Sequence, residues 1–418
     1  METTHSQRVR RFLYAWAMMR RIHPTFLVVM LSLIMGIQPV TTDLYLPALP
    51  KLTDGFGASI SQAQFTLTSL LFAFGISQLV WGPVSDRWGR RPVLLIGLAM
   101  YSLAAIGSAL SNSIEQLILW RTIQGTAMGA VVMCGRAIIR DLFEPIEGAR
   151  VMSRAMTGLG FIALSGPILG GWLTQNWGWH VALQALTVYG FAMLLLITFQ
   201  FKETCIQKNI HATEPIYLLR NWWIIVCNPT FRAYMLLTAS AFGLLFTFLA
   251  SSSFVFLKIY QLSGIEYGFV LSLMSIDYIL GTFLCRYLLK RFSVKKTLAI
   301  AGTISAVGGW STWLVSYLFP QTLLGLLIPF LLAILAHGIH QPIGQSACVA
   351  PFPHSAGAAS ALNGFGMMVC AFGIGIWLGQ TLDHTIGPLT QGLAFWGTCL
   401  LIISFTLIQT HGDTGAKI

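Results

Sequence analysis

The sequence predicts an all-α polytopic membrane protein with twelve transmembrane helices in two six-helix bundles. Three observations carry this. The 418 residues are 55% hydrophobic and only 9% charged, with a mean hydropathy of +0.72 and 40 glycines. That composition suits a lipid solvent better than a water-soluble core. Apolar runs long enough to cross a bilayer, about 20 residues each, recur twelve times along the chain. The lysines and arginines are sorted onto one side of the topology those runs define.

The runs fall near 24–46, 63–82, 92–111, 117–139, 151–173 and 179–200, then near 233–257, 266–289, 297–318, 321–343, 358–380 and 390–409. With a cytoplasmic N-terminus, nineteen basic residues lie on inner segments, among them Arg87, Arg90, Arg91, Lys202 and Lys296, against Lys51 and Lys258 outside. Inner loops carry such an excess, so both termini are expected in the cytoplasm. The net charge of +11 is then a topology signal, and no nucleic-acid partner is expected. The first apolar run lacks a small-residue cleavage site and is expected to persist as an anchor. The seven cysteines lie in spans or on the inner side without metal-ligand spacing. Neither a disulfide framework nor a metal site is expected.

Span 1 carries Gln38 beside Pro39, and then Asp43 before Pro47. A kinked helix exposes backbone and the Gln38 amide needs partners, which makes it a cavity candidate. Asp43 is either a helix-end acid at the outer interface or a carboxyl that water reaches alternately from each side. Residues 82–92, Gly-Pro-Val-Ser-Asp-Arg-Trp-Gly-Arg-Arg-Pro, set four charges in six positions. Each ionised side chain would cost about 2.5–3.5 kcal/mol or more in hydrocarbon. The segment is therefore a water-facing turn between spans 2 and 3. In span 4, Arg121, Gly125 and Gly129 recur every four residues and share a face. The glycines admit a close neighbour, while the arginine needs a buried acceptor or a wet cavity.

Span 5 is interrupted at Gly166-Pro167 and stripped of bulk at Gly170-Gly171. Residues 201–232 form the longest polar interruption. They divide the chain into a bundle over 1–200, a central cytoplasmic connection and a bundle over 233–418. Within the connection, Asn221-Trp222-Trp223 suits a short helix lying at the membrane interface. Phe242, Phe246 and Phe248 in span 7 suit helix packing or contact with an apolar substrate. Asp277, near the middle of span 8, has three open readings: binding a cationic substrate, a second proton site, or a protonated and hydrogen-bonded group. Arg286 faces nearly the opposite side, about 2.5 turns on, and is a poor partner for it. His337 and His340, one turn apart in span 10, read as packing or hydrogen-bonding groups.

The motifs together resemble the major facilitator superfamily. Gly82 to Pro92 resembles its signature loop between spans 2 and 3. Leu119-Trp120-Arg121-Thr122-Ile123-Gln124-Gly125 resembles its span-4 motif, and Gly158 to Gly171 its antiporter-associated span-5 motif. Thr42-Asp43-Leu44-Tyr45-Leu46-Pro47-Ala48-Leu49-Pro50 and Pro351-Phe352-Pro353-His354-Ser355-Ala356-Gly357 are similar to segments of the bicyclomycin-resistance and chloramphenicol-efflux (Bcr/CflA) family. The resemblance implies the major facilitator fold, with a substrate site between the halves near the midplane. It also implies a bacterial inner-membrane exporter of small drugs or metabolites, driven by inward proton flow. Asp43 would be the proton site, with Arg121 acting on it directly, through Gln124 or through water. Asp86 would face the N-terminus of span 11, Arg90 would bridge to Asp141 as a conformational latch, and Gly166 to Gly171 would pack as a gate.

No Gly-x-x-x-x-Gly-Lys-Ser/Thr loop occurs, and no nucleophile–base or metal set suggests an enzyme. A secondary transporter without cofactors, coupled to protons and expected to be a monomer in the bilayer, is the leading reading. An exporter dedicated to one endogenous siderophore, nucleoside or amino-acid derivative is the alternative.

Overall fold

A computed structural model describes residues 24–143, 145–205, 208, 210–319, 322–352, 355–382 and 385–412. Pro353 and His354, and the chain ends 1–23 and 413–418, lie outside the described residues. Twelve helices are long and apolar enough to cross a membrane. In the first half, spans 1 to 6 are Thr25–Phe56, Ile60–Trp88, Arg90–Ala109, Ile114–Leu142, Arg154–Trp177 and Trp179–Gln200. In the second, spans 7 to 12 are Pro229–Ile259, Gly264–Arg291, Val294–Leu318, Leu323–Val349, Ala356–Thr381 and Gly387–His411. The chain is a multi-pass membrane protein.

The halves repeat one packing scheme. Span 1 lies on spans 4 and 5, span 2 on span 4, and span 3 on spans 4 and 6. Spans 7, 8 and 9 take the corresponding neighbours: spans 10 and 11, span 10, and spans 10 and 12. The local chemistry repeats as well. Span 2 opens with a capping box, Ser59 with Gln62, and span 8 with another, Ser263 with Glu266. A side chain at Gly125 would strike the carbonyl of Leu70 in span 2, and one at Gly281 the carbonyl of Leu335 in span 10. Small residues thus let backbones meet where hydrocarbon gives no hydrophobic drive for helix association. Between the halves, span 2 packs on span 11 and span 5 on span 8.

Two local features depart from the sequence expectation. The charged turn shrinks to one residue: span 2 is helical to Trp88, span 3 starts at Arg90, and Gly89 alone reverses the chain at φ 110°. Only glycine adopts that conformation without strain. Asp86 is therefore the last turn of one helix and Arg90 the first residue of the next. Span 1, by contrast, outlasts its Pro47 break. Its α-helix ends at Asp43, passes through a 3-10 turn at Leu46–Ala48 and resumes over Leu49–Phe56. The central connection holds a helix over Pro215–Cys227, where Ser355 of the span-11 entry donates to the Asn221 side chain at 3.1 Å.

The bundle has an Asp86 end and an Asp54 end, one on each side of the membrane. Among the described residues, the hydrogen bonds that join the two bundles lie toward the Asp54 end. Lys258 pairs with Asp54 at 2.8 Å, Gln64 donates to the carbonyl of Ala250, and Ser272 donates to the carbonyl of Leu164 at 2.6 Å.

Candidate transport site and gates

The polar centre of the first half is built around Arg121. Its side chain is fully enclosed, with Nη1 donating to Gln124 Oε1 at 2.9 Å and Nη2 to the Thr41 carbonyl at 3.3 Å. The guanidinium also lies 4.1 Å from the Tyr45 ring centroid, a distance at which a cation is drawn to an aromatic face. Tyr45 in turn pairs with Thr66 at 2.5 Å, and Tyr101 with the Thr41 hydroxyl at 2.6 Å. Spans 1, 2, 3 and 4 are tied together by this network. Arg121 Nε and Gln124 Nε2 are left sealed without partners.

Asp43 is not part of that network. It is half-buried at the end of the span-1 α-helix and accepts a 2.8 Å bond from Thr42. Its neighbour is the span-5 interruption: a side chain at Gly166 would sit 3.7 Å from Asp43 Cβ. Pro167, next to Gly166, packs against Gly268 of span 8. The acid thus stands where the first half meets the second.

The span-5 sequence packs residue by residue onto that seam. Gly170 abuts the Leu44 carbonyl of span 1. Gly171 abuts the Gly264 carbonyl, and Gly268 would place a Cβ 2.8 Å from the Pro167 oxygen. Pro167 supplies no N–H, so its turn of helix is loosened where span 8 crosses. Any side chain larger than hydrogen at Gly171 or Gly264 would separate the two backbones.

At the opposite end, Arg90 gathers the charges of the 82–92 segment. It pairs with Asp86 at 2.7 Å and with Asp141 at 2.8 Å, and it donates to Ser85 at 2.7 Å. Its side chain is 3% exposed and that of Asp141 15%. Asp86 differs from expectation in its partner: it is held by Arg90 and, at 3.4 Å, by Arg140. Arg140 is the group that meets span 11, lying 3.1 Å from where a side chain on Gly357 would begin. Guanidinium charge therefore stands between Asp86 and the helix terminus.

Glu203 was not singled out by the sequence, yet it completes this end. Its carboxylate accepts from the backbone N–H groups of Arg90, Arg91, Thr204 and Cys205 at 2.9, 3.1, 3.0 and 2.9 Å. Span 3 has no capping side chain of its own, and its bare N–H groups favour an anion. The signal lay in an acid just past span 6 and a helix starting on Arg-Arg-Pro without a cap.

The remaining candidates are scattered. Gln38 is half-buried in span 1, where its carbonyl accepts from Thr42 at 3.1 Å. Phe246 is 1% exposed and stacked with Phe242, so it is packing and no cavity wall. Asp277 does not share the face of Gly268 and Ser272 that meets span 5. It stands one turn before Gly281, which packs on span 10, and between the exposed Leu273 and Leu280. Its Oδ2 is enclosed and unpartnered. His337 donates from Nδ1 to the Ala241 carbonyl at 3.0 Å, and His340 pairs with Ser305 at 3.3 Å, as packing groups do. Among the described residues no group of three or more His, Cys, Asp or Glu could hold a metal ion.

The family model described as Major Facilitator Superfamily matches residues 31–376. The chain is 27% identical over 292 residues to a bicyclomycin resistance protein homolog of Haemophilus influenzae, covering 70% of this chain and 73% of the relative. It is 26% identical over 387 residues to multidrug resistance protein D of Escherichia coli, covering 92% and 96%. The crystal structure of a D-xylose-proton symporter superposes with a TM-score of 0.73 at 15% identity, covering 94% of this chain and 100% of that one. That last likeness concerns the fold.

Proposed function

Because the chain belongs to the Major Facilitator Superfamily, we propose that it is a proton-coupled exporter of small drugs or related metabolites that works by alternating access. It is a membrane transporter. The relatives named for bicyclomycin and multidrug resistance support an export role over a single endogenous cargo. The observation that carries the coupling is the position of Asp43, a carboxyl set against Gly166 of span 5 where the two halves meet. When the halves separate at the Asp54 end, water from that side reaches the carboxyl and protonates it. When they close there, as in this structure, Asp43 is left to discharge its proton toward the Asp86 end. Arg121 is the cation that would favour the ionised carboxylate during that discharge.

The excess of Lys and Arg supports a cytoplasmic Asp86 end in a bacterial inner membrane. The protein needs no bound cofactor, uses protons as its coupling ion and functions as a monomer in the bilayer. One proton moving down about 100 mV supplies about 2.3 kcal/mol, enough for about a fiftyfold gradient of a neutral cargo at one-to-one coupling. An efflux screen in a transporter-depleted bacterium, with and without a protonophore, tests this. Expression should confer export of at least one compound, and the protonophore should abolish it. Export that persists after the protonophore would remove proton coupling.

A further inference from the structure

Span 4 carries a second arginine for which the proton relay has no use. From Ala127 to Ile139 every position is buried except Arg136 and Ala137, which are part-exposed. Arg136 has no hydrogen-bond, ion-pair or ring partner among the described residues. Unlike the Nε of Arg121, none of its nitrogens is sealed. The flanking contacts locate it. A side chain at Gly135 would meet Ile34 of span 1 at 2.7 Å, and one at Gly82 of span 2 would meet Met133 at 3.5 Å. Arg136 falls on the strip between those faces, one turn before Arg140, which looks toward Gly357 of span 11. It lies six residues from the end of span 4, about 9 Å into the bundle.

A guanidinium keeps its charge in any protein setting and offers a fork of donors that matches a carboxylate. Set inside the helix bundle without a partner, such a charge is favourably complemented by an anion. Asp277, an acid of the other half, stands one turn before the Gly281 that packs on span 10.

Resting on the exporter reading above, we propose that Arg136 is the anion-recognition residue of the transport cavity and takes a carboxylate, or a comparable oxyanion, of the exported molecule. The test is equilibrium binding to the purified full-length protein in detergent, without a proton gradient. The probes are a panel of aromatic carboxylic acids and their primary amides. In the unaltered protein the best acids bind at least tenfold more tightly than their amides. Arg136→Gln removes that preference, Arg136→Lys keeps part of it, and Arg286→Gln, a charge removed from the exposed face of span 8, leaves it intact. Equal binding of acids and amides, binding of no acid, or an undiminished preference in Arg136→Gln would overturn the assignment. So would Arg136-dependent thermal stabilisation by phosphatidylglycerol but not by the acids, which marks a lipid headgroup site. Because no gradient is applied, failure here is separable from failure of proton-driven efflux in the whole-cell screen.

Discussion

Arg121 donates to the backbone carbonyl of Thr41 at 3.3 Å, two residues short of Asp43, and leaves that carboxylate untouched. The arginine is enclosed with Nε unpartnered, a costly state unless an anion compensates it in another conformation. Pro39 interrupts the hydrogen-bond ladder just before Thr41. A small rotation of the span-1 end would exchange the Thr41 carbonyl for the Asp43 carboxylate. We predict that Arg121→Lys, which keeps the charge and loses the fork, lowers pH-driven efflux at least tenfold in proteoliposomes while substrate exchange at equal pH survives. Equal loss of both would make Arg121 a packing residue.

The bare backbones of Gly171 and Gly264 set a second expectation. Gly171→Val should leave a folded protein whose Asp54 end cannot close. With Asp54→Cys and Lys258→Cys introduced in place of the ion pair, disulfide formation in that background should fall at least tenfold. Crosslinking at the yield seen with Gly171 intact would contradict a gate at this crossing.

Arg90→Ala strands the enclosed Asp141 carboxylate and Ser85. It should cost about 3 kcal/mol of stability, read as a lowered thermal midpoint in detergent. Asp86 is more open, its side chain 40% exposed, so Asp86→Asn should cost under about 1 kcal/mol. It should nevertheless slow transport without changing the order of preferred substrates. A changed order would move Asp86 from the conformational switch to the cargo site.

Glu203→Gln keeps the size of the side chain that caps span 3 and removes its charge. A loss of about 1 kcal/mol is expected, with the thermal midpoint falling less than for Arg90→Ala. No change in midpoint would mean that solvent satisfies the Arg90 and Arg91 amides.

The number of spans and the seam residues of span 5 were legible because hydropathy and glycine spacing are properties of one helix at a time. The Arg90–Asp141 pair was legible through motif resemblance. What stayed hidden depends on how a helix is rotated against neighbours far along the chain. Asp277 reads from its span as a central charge, yet the register that seats Gly281 on span 10 turns it away from span 5. Phe246 reads as packing or as a cavity wall, and only its enclosure decides for packing. Asp86 reads as facing a helix terminus, but Arg140, from a different helix, reaches that place first. Glu203 caps a helix that begins far earlier in the chain, a pairing that no local pattern contains.

The coupling claim is tested most directly by proton release. Adding an exported compound to the purified protein in weakly buffered detergent solution with a pH indicator should displace protons from the unaltered chain. With Asp43→Asn that release should vanish, while the compound still binds and exchanges across proteoliposomes at equal pH. Proton release of the same size from Asp43→Asn would contradict the account and place the coupling proton elsewhere.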